Sequence, residues 1–196
     1  MHQFLPPGET QAPDPETRLF LAARDGDSAA FAALVRGLAA PSLALATRVL
    51  GNVSLAEEAV QEALTSLWRT SARFDPDRGP LAAWWRRILM NAALDGRRRL
   101  RIAEPLDAAG DPIDPAPTPE EAATAHDLDR AVATAMATLP ERQRAALALF
   151  HGQGLSMVEI ADALGTSAKA IEGLLDRGRA TLRARLANPF GRGTEE

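Results

Sequence analysis

The chain has 196 residues, a formal net charge of −4 and 46% hydrophobic side chains, enough apolar material for one ordinary domain or two small ones. It contains no cysteine, which excludes a disulfide framework and a thiolate metal site, and it shows neither a signal-like opening nor an apolar run expected to span a bilayer. Aromatic residues make up only 5% while Ala, Leu and Arg dominate, so strand material is scarce and helices are expected throughout.

Residues 1–14 are rich in Pro, Gly and polar side chains and are expected to be mobile. A short helix is predicted over residues 15–24, ending at Asp25-Gly26. Ser28 is a suitable cap for a second helix that runs towards Leu50, with a kink expected at Pro41 because proline removes a backbone donor. Gly51-Asn52 stops it. Ser54 followed by Glu57 reads as a capping box, and Ala59, Val60, Ala63, Leu64, Leu67 and Trp68 form an apolar stripe at helical spacing. A loop over residues 73–79 precedes Pro80, a favourable first helical residue for a fourth helix over 80–100.

Between residues 102 and 118 the pattern fails. Pro105, Pro112, Pro115 and Pro117 alternate with Glu104, Asp107, Asp111 and Asp114, the composition of an extended linker. Helices resume after Thr118, Pro119 and Glu121 and continue to about Ala137. Leu139-Pro140-Glu141 opens another that ends near His151-Gly152. Ser156 and Glu159 form a further capping box over 156–164, Gly165-Thr166 turns the chain, and a last helix runs over 167–187 until Asn188-Pro189. Two short helices around a Gly-containing turn describe a helix-turn-helix, packed through Ile160, Ala161, Leu164, Ile171 and either Leu174 or Leu175. The expected architecture is therefore all-α: helical domains over 15–101 and 119–187, a flexible linker over 102–118 and a tail over 188–196.

No catalytic constellation is present. His2, His126 and His151 are isolated, and no metal-binding, nucleophile-elbow or phosphate-loop pattern occurs, so neither an enzyme nor a bound cofactor or metal is expected. Charge distribution is more informative than net charge. Arg86, Arg87, Arg97, Arg98, Arg99 and Arg101 cluster in one stretch and Arg177, Arg179, Arg183 and Arg185 in another, with an acidic segment between them. Trp84 and Trp85 beside the first cluster suit stacking on unpaired bases, although helical spacing puts at least one of them in a core. The second cluster suits phosphates or simply a solvated face.

Taken in order, Arg24-Asp25-Gly26-Asp27, Ala30-Phe31, the run from Ala56 to Glu62, Phe74-Asp75-Pro76 with Arg78-Gly79, Trp84, Arg87-Ile88, Asn91, Asp95 and Arg98-Arg99 resemble region 2 of extracytoplasmic-function (ECF) sigma factors. Leu139 to Arg144, Leu155-Ser156, Glu159-Ile160-Ala161 and Leu164-Gly165 resemble region 4 of the same family. The resemblance implies a cytoplasmic promoter-specificity factor without membrane insertion, whose partners are RNA polymerase core, promoter DNA and an anti-sigma protein. By the same resemblance Ala56, Glu57, Glu58, Gln61 and Glu62 dock on the β′ clamp helices, with Glu57 partly engaged as a cap, and region 4 binds the β flap. The downstream promoter element falls to Phe74, Asp75, Arg78, Trp84, Arg86, Arg87, Asn91, Arg97, Arg98 and Arg99, where Asn91 offers both a donor and an acceptor to a flipped base. The upstream element falls to Ser167, Lys169, Glu172, Asp176, Arg177 and Arg179. Trp85, Arg86 and Met90, and the run Glu172-Gly173-Leu174, depart from the common family pattern. Two other readings are a sigma-like decoy that sequesters an anti-sigma protein without binding DNA, and a helix-turn-helix repressor, which leaves the region 2 resemblance unexplained.

Overall fold

Asp14 opens the first helix by accepting hydrogen bonds from the Thr17 amide (3.0 Å) and hydroxyl (2.6 Å). The architecture comes from a computed structural model that describes residues 13–103 and 123–187. Among these residues there is no strand; the helices are α1 (Pro15–Arg24), α2 (Ser28–Leu50), α3 (Val53–Arg69), α4 (Leu81–Ala103), α5 (Ala123–Ala137), α6 (Glu141–Leu147), α7 (Met157–Ala163) and α8 (Ala168–Ala187). The mobile opening segment, the Pro-rich acidic linker, the cap at Thr118 to Glu121 and the stop at Asn188-Pro189, all expected from sequence, lie outside the described residues apart from their edges.

The capping residues of two helices differ from expectation. The cap of α2 is Asp27, whose carboxylate accepts from the Ala29 and Ala30 amides, with Ser28 already the first helical residue. The cap of α3 is Asn52, which accepts from the Leu55 amide, so Ser54 falls inside the first turn, Glu57 lies beyond it, and the two form no box. In both cases the extended residue nearest the preceding Gly turn captures the free amides first. Asn52→Ala is therefore expected to cost about 1 kcal/mol, read as a lower urea midpoint at unchanged slope. Ser54→Ala should leave the midpoint in place.

Helix α2 runs unbroken through Pro41 and ends on Gly51 in the left-handed conformation (φ 70°). Contrary to the sequence reading, this 23-residue helix is long and apolar enough to cross a membrane by length and composition alone. The physical reason is its function as a core helix: Leu34, Leu38, Leu45, Ala46, Val49 and Leu50 are buried by neighbouring helices, and Arg36 and Arg48 are its only charges. In the 73–79 loop, Ser71–Arg73 and Pro76–Arg78 form single 3₁₀ turns, and α4 starts at Leu81 rather than Pro80. The buried Leu81 amide donates to the Thr17 hydroxyl (3.0 Å), so one hydroxyl ties the starts of α1 and α4 together.

Helices α1 to α4 pack around Phe20, Leu34, Val49, Val60, Leu67, Leu81, Trp85 and Leu89. Helices α5 to α8 pack around Leu139, Leu147, Leu149 and the helix-turn-helix residues Ile160, Ala161, Leu164, Ile171 and Leu175; Leu174 is half-buried. Ser156 and Glu159 form the expected capping box on α7. Helix α6 widens into a π turn over Ala148–Gly152. Gly178 on α8 lets Leu147 of α6 come within 2.8 Å of where a Cβ would stand, which sets the close approach of those helices. The two halves also touch one another, through α4 against α7 and α6, and α2 against α6 and the turn after it.

Candidate nucleic-acid and protein interface

The acidic face of α3 arises from its register. Ala56, Ala59, Val60, Ala63 and Leu67 turn inward, which leaves Glu57, Glu58, Gln61 and Glu62 exposed on the other side. Ala56, expected among the docking residues, is fully buried, so it supports this face from beneath rather than forming part of it. Trp68, placed by spacing in the apolar stripe, is 47% exposed and meets the 40% exposed Phe31 of α2 edge to face, with ring centroids 5.2 Å apart. The sequence held no signal for that pair, because the stripe ends one residue earlier, at Leu67.

On α4 the two tryptophans have separate tasks. Trp85 is buried and its indole N–H donates to the Ser42 hydroxyl of α2 (2.9 Å), which satisfies a donor that would otherwise be costly to bury. Trp84 is half-buried beside Phe20 and Phe74, with ring centroids 5.8 and 5.2 Å away. Phe74 itself is buried, so it forms the floor beneath the loop and offers no open ring face to a base. The Arg24 guanidinium donates to the Phe74 carbonyl (3.4 Å), and the Asp75 carboxylate accepts from the Asp77 amide (3.0 Å), fixing the loop between α3 and α4. Asp75, Arg78, Asn91, Arg98 and Arg99 are exposed. Arg87, Asn91 and Arg98 share one face of α4 by their spacing.

Two arginines of α4 contact the other half of the molecule. Arg87 pairs with Asp162 of α7 at 3.4 Å, and the Arg97 Nε lies 3.5 Å from Glu141 at the start of α6. Half-buried Arg86 lies close enough to Glu159 of α7 for its charge to help hold that carboxyl below the usual carboxylate range, after the dominant hydrogen bonds from Ser156. Next to Glu141 stands buried Arg144, whose guanidinium donates to the Ala137 carbonyl. Burial lowers its proton affinity, Arg97 adds to the effect, and Glu141 opposes it.

At the start of α8, Ser167 caps the Ala170 amide (3.2 Å). Lys169 and Glu172 are bonded to each other at 2.6 Å, and this bond with Glu172, then its charge, raises the lysine pKa. Asp176 and Arg177 are exposed, and the Arg177 guanidinium folds back towards Gly173. Arg179 leaves the upstream-facing set: it lies 5.0 Å above the Phe150 ring, beside α6. It also lines a groove of about 820 Å3 between α2, α5, α6 and α8, walled by Met136, Leu147, Leu182 and Leu186 and rimmed by Arg48 and Arg183. Among the described residues no cluster of three or more His, Asp or Glu side chains is arranged to hold a metal ion.

Residues 34–102 match the sigma-70 region 2 family and residues 129–182 the sigma-70 region 4 family. The chain is 33% identical over 187 residues to the RNA polymerase sigma factor CnrH of Cupriavidus metallidurans, a match covering 89% of this chain and 96% of that one. It is 32% identical to the probable RNA polymerase sigma factor RfaY of Xanthomonas campestris over 152 residues, which is 75% of this chain but 38% of that protein. The structure of CnrH in complex with the cytosolic domain of CnrY superimposes with a TM-score of 0.62 at 31% identity, over 89% of this chain and 98% of that one. That of the Bartonella quintana sigma factor RpoE with the anti-sigma factor NepR gives 0.63 at 25% identity, over 80% and 96%. With both conserved regions matched in order, and α1–α4 and α5–α8 folded accordingly, this chain belongs to the ECF branch of the sigma-70 family.

Proposed function

We propose that the chain is an alternative sigma factor that binds RNA polymerase core in the cytoplasm, brings it to particular promoters and opens the strands there, under the control of an anti-sigma protein. The observation that carries the reading is α4: Asn91, Arg98 and Arg99 are exposed along it, and the loop that precedes its start packs on the Phe20, Phe74 and Trp84 rings. Arginines hold the backbone of a displaced strand, and an amide side chain reads a base edge that the duplex hides. Binding the unpaired strand offsets an unstacking cost of a few kcal/mol per step, so no nucleotide hydrolysis is required and the protein need not be an enzyme.

Glu57, Glu58, Gln61 and Glu62 are the docking face for the basic β′ clamp helices, where opposite charge guides the approach. The second domain carries the β flap contact and reads the upstream element, with Ser167, Lys169, Glu172, Asp176 and Arg177 at or near the major groove of the DNA. The groove between α2, α5, α6 and α8, apolar with a cationic rim, is the place we assign to an acidic amphipathic segment of the anti-sigma protein. A decoy reading, in which the chain sequesters an anti-sigma protein without touching DNA, draws on the mutual neutralisation of Lys169 and Glu172 at the reading end of α8.

The test is transcription of genomic fragments by sigma-free core polymerase with the purified chain added. Promoter-specific transcripts are expected. If none appear while an anti-sigma protein still binds, the decoy replaces the sigma factor.

A further inference from the structure

The groove between α2, α5, α6 and α8 carries a charge opposite to that of the whole chain. Its lining includes Arg48, Arg144, Arg179 and Arg183 and no aspartate or glutamate, in a protein whose formal net charge is −4. Arg48 and Arg183 are exposed. The Arg48 guanidinium lies over the end of the π turn, 2.9 Å from where a Gly152 Cβ would stand.

Arg144 differs from these two. It is 4% exposed, its Nε has no hydrogen-bond partner among the described residues, and one Nη donates to the Ala137 carbonyl at 3.3 Å. Burial first, then Arg97, weakens its hold on the proton, and Glu141 offsets them only in part. A buried cation with a spare donor is costly unless an anion meets it. Around it the groove is apolar: Val132, Met136, Leu182 and Leu186 line it and keep part of their surface open to water. Its volume of about 820 Å3 falls in the range of small-molecule sites, roughly 300–1,000 Å3.

We propose that this groove binds a small carboxylate with an apolar chain, of the fatty-acid class, its head on Arg144 and its chain along Met136, Leu182 and Leu186. A single buried guanidinium beside an apolar wall matches one anionic head on one slender tail. An acidic helix laid across the groove reaches the exposed Arg48 and Arg183, but its short carboxylates stop above Arg144. The ligand and the anti-sigma segment assigned above therefore share the groove and exclude one another, so the ligand acts as an inducer. That consequence rests on the anti-sigma reading; binding of the ligand to the free chain does not.

The probe is dodecanoate below its micelle concentration, titrated calorimetrically into the full-length chain, with dodecyltrimethylammonium and 1-dodecanol as controls of equal length. One saturable site is expected, with dodecanoate at least tenfold tighter than either control. Leu182→Asp, which sets a carboxylate in the half-buried wall, should abolish binding while helical content by circular dichroism is kept. Arg144→Met should remove the preference for carboxylate over alcohol by about 10- to 100-fold, the range for one hydrogen bond to a charged group. Should that variant not fold, the exposed pair Arg48→Gln with Arg183→Gln carries the test and should weaken dodecanoate but not 1-dodecanol.

Equal affinity for the cationic control, uptake that does not saturate, or unchanged binding by Leu182→Asp overturns the site. Binding to phosphatidylglycerol vesicles but not to free dodecanoate makes the groove a membrane contact and overturns it as well. In transcription reconstituted with core polymerase and the anti-sigma protein, dodecanoate should restore transcripts. If it binds the chain yet restores none, the anti-sigma segment lies elsewhere and the ligand site stands.

Discussion

Phe20→Ala should destabilise the first domain by about 3–5 kcal/mol, a large share of the 5–15 kcal/mol typical of a folded domain. Phe20 is 1% exposed and sits where α1 meets the 74–79 loop and α4. Its ring stands edge-on to Phe74 at 5.3 Å and to Trp84 at 5.8 Å, so truncation removes apolar burial and two aromatic contacts together. The cavity cannot close by a simple slide of α1, because the Thr17 hydroxyl pins that helix to the Leu81 amide. Equilibrium urea unfolding, followed by tryptophan fluorescence and by far-UV circular dichroism, measures the loss. Phe31→Ala serves as the contrast, since that ring is 40% exposed and should cost far less. A loss below about 1 kcal/mol for Phe20→Ala would mean that the three rings do not hold the loop in place.

Asn91→Ala should reduce promoter opening by about 10- to 100-fold, the range for losing a hydrogen-bonded base contact worth about 1–3 kcal/mol. Its effect on core binding should stay within experimental error. Asn91 is exposed on α4, while its neighbours Met90, Ala92 and Ala93 are buried, so the substitution leaves the core untouched. Asn91 lies on α4 and the acidic docking face on α3, so the substitution removes no docking side chain. Permanganate reactivity of the melted strand reports opening, and fluorescence anisotropy of labelled polymerase core reports binding. Equal losses in both assays would refute a strand-reading role. So would normal opening.

How much of this was legible before the fold is clearest in single residues. The period of α3 separates Glu57, Glu58, Gln61 and Glu62 from Ala59, Val60, Ala63 and Leu67 without any knowledge of what lies opposite. The box at Ser156 and Glu159 and the packing set from Ile160 to Leu175 were equally open to sequence reasoning, because each depends on residues only a few positions apart. Caps were less secure. Ser28 and Ser54 have suitable side chains, but Asp27 and Asn52 occupy the extended positions next to the Gly turns and take the free amides.

The linear pattern of Ala, Leu, Gly and Pro was sufficient by itself to specify an all-helical chain, and the ordered motifs identified its family, since helical period and motif order are properties of neighbours in sequence. Which tryptophan faces inward was decided by Ser42, 43 residues away, which gives the Trp85 indole its buried acceptor. The burial of Phe74 and the exposure of Trp68 likewise depend on what distant helices cover. The partners of Arg87 and Arg97 come from α7 and α6, 75 and 44 positions further on, and charge pattern alone left those arginines free for DNA. Contacts of such separation depend on how two helical layers pack. That arrangement came only from the tertiary structure.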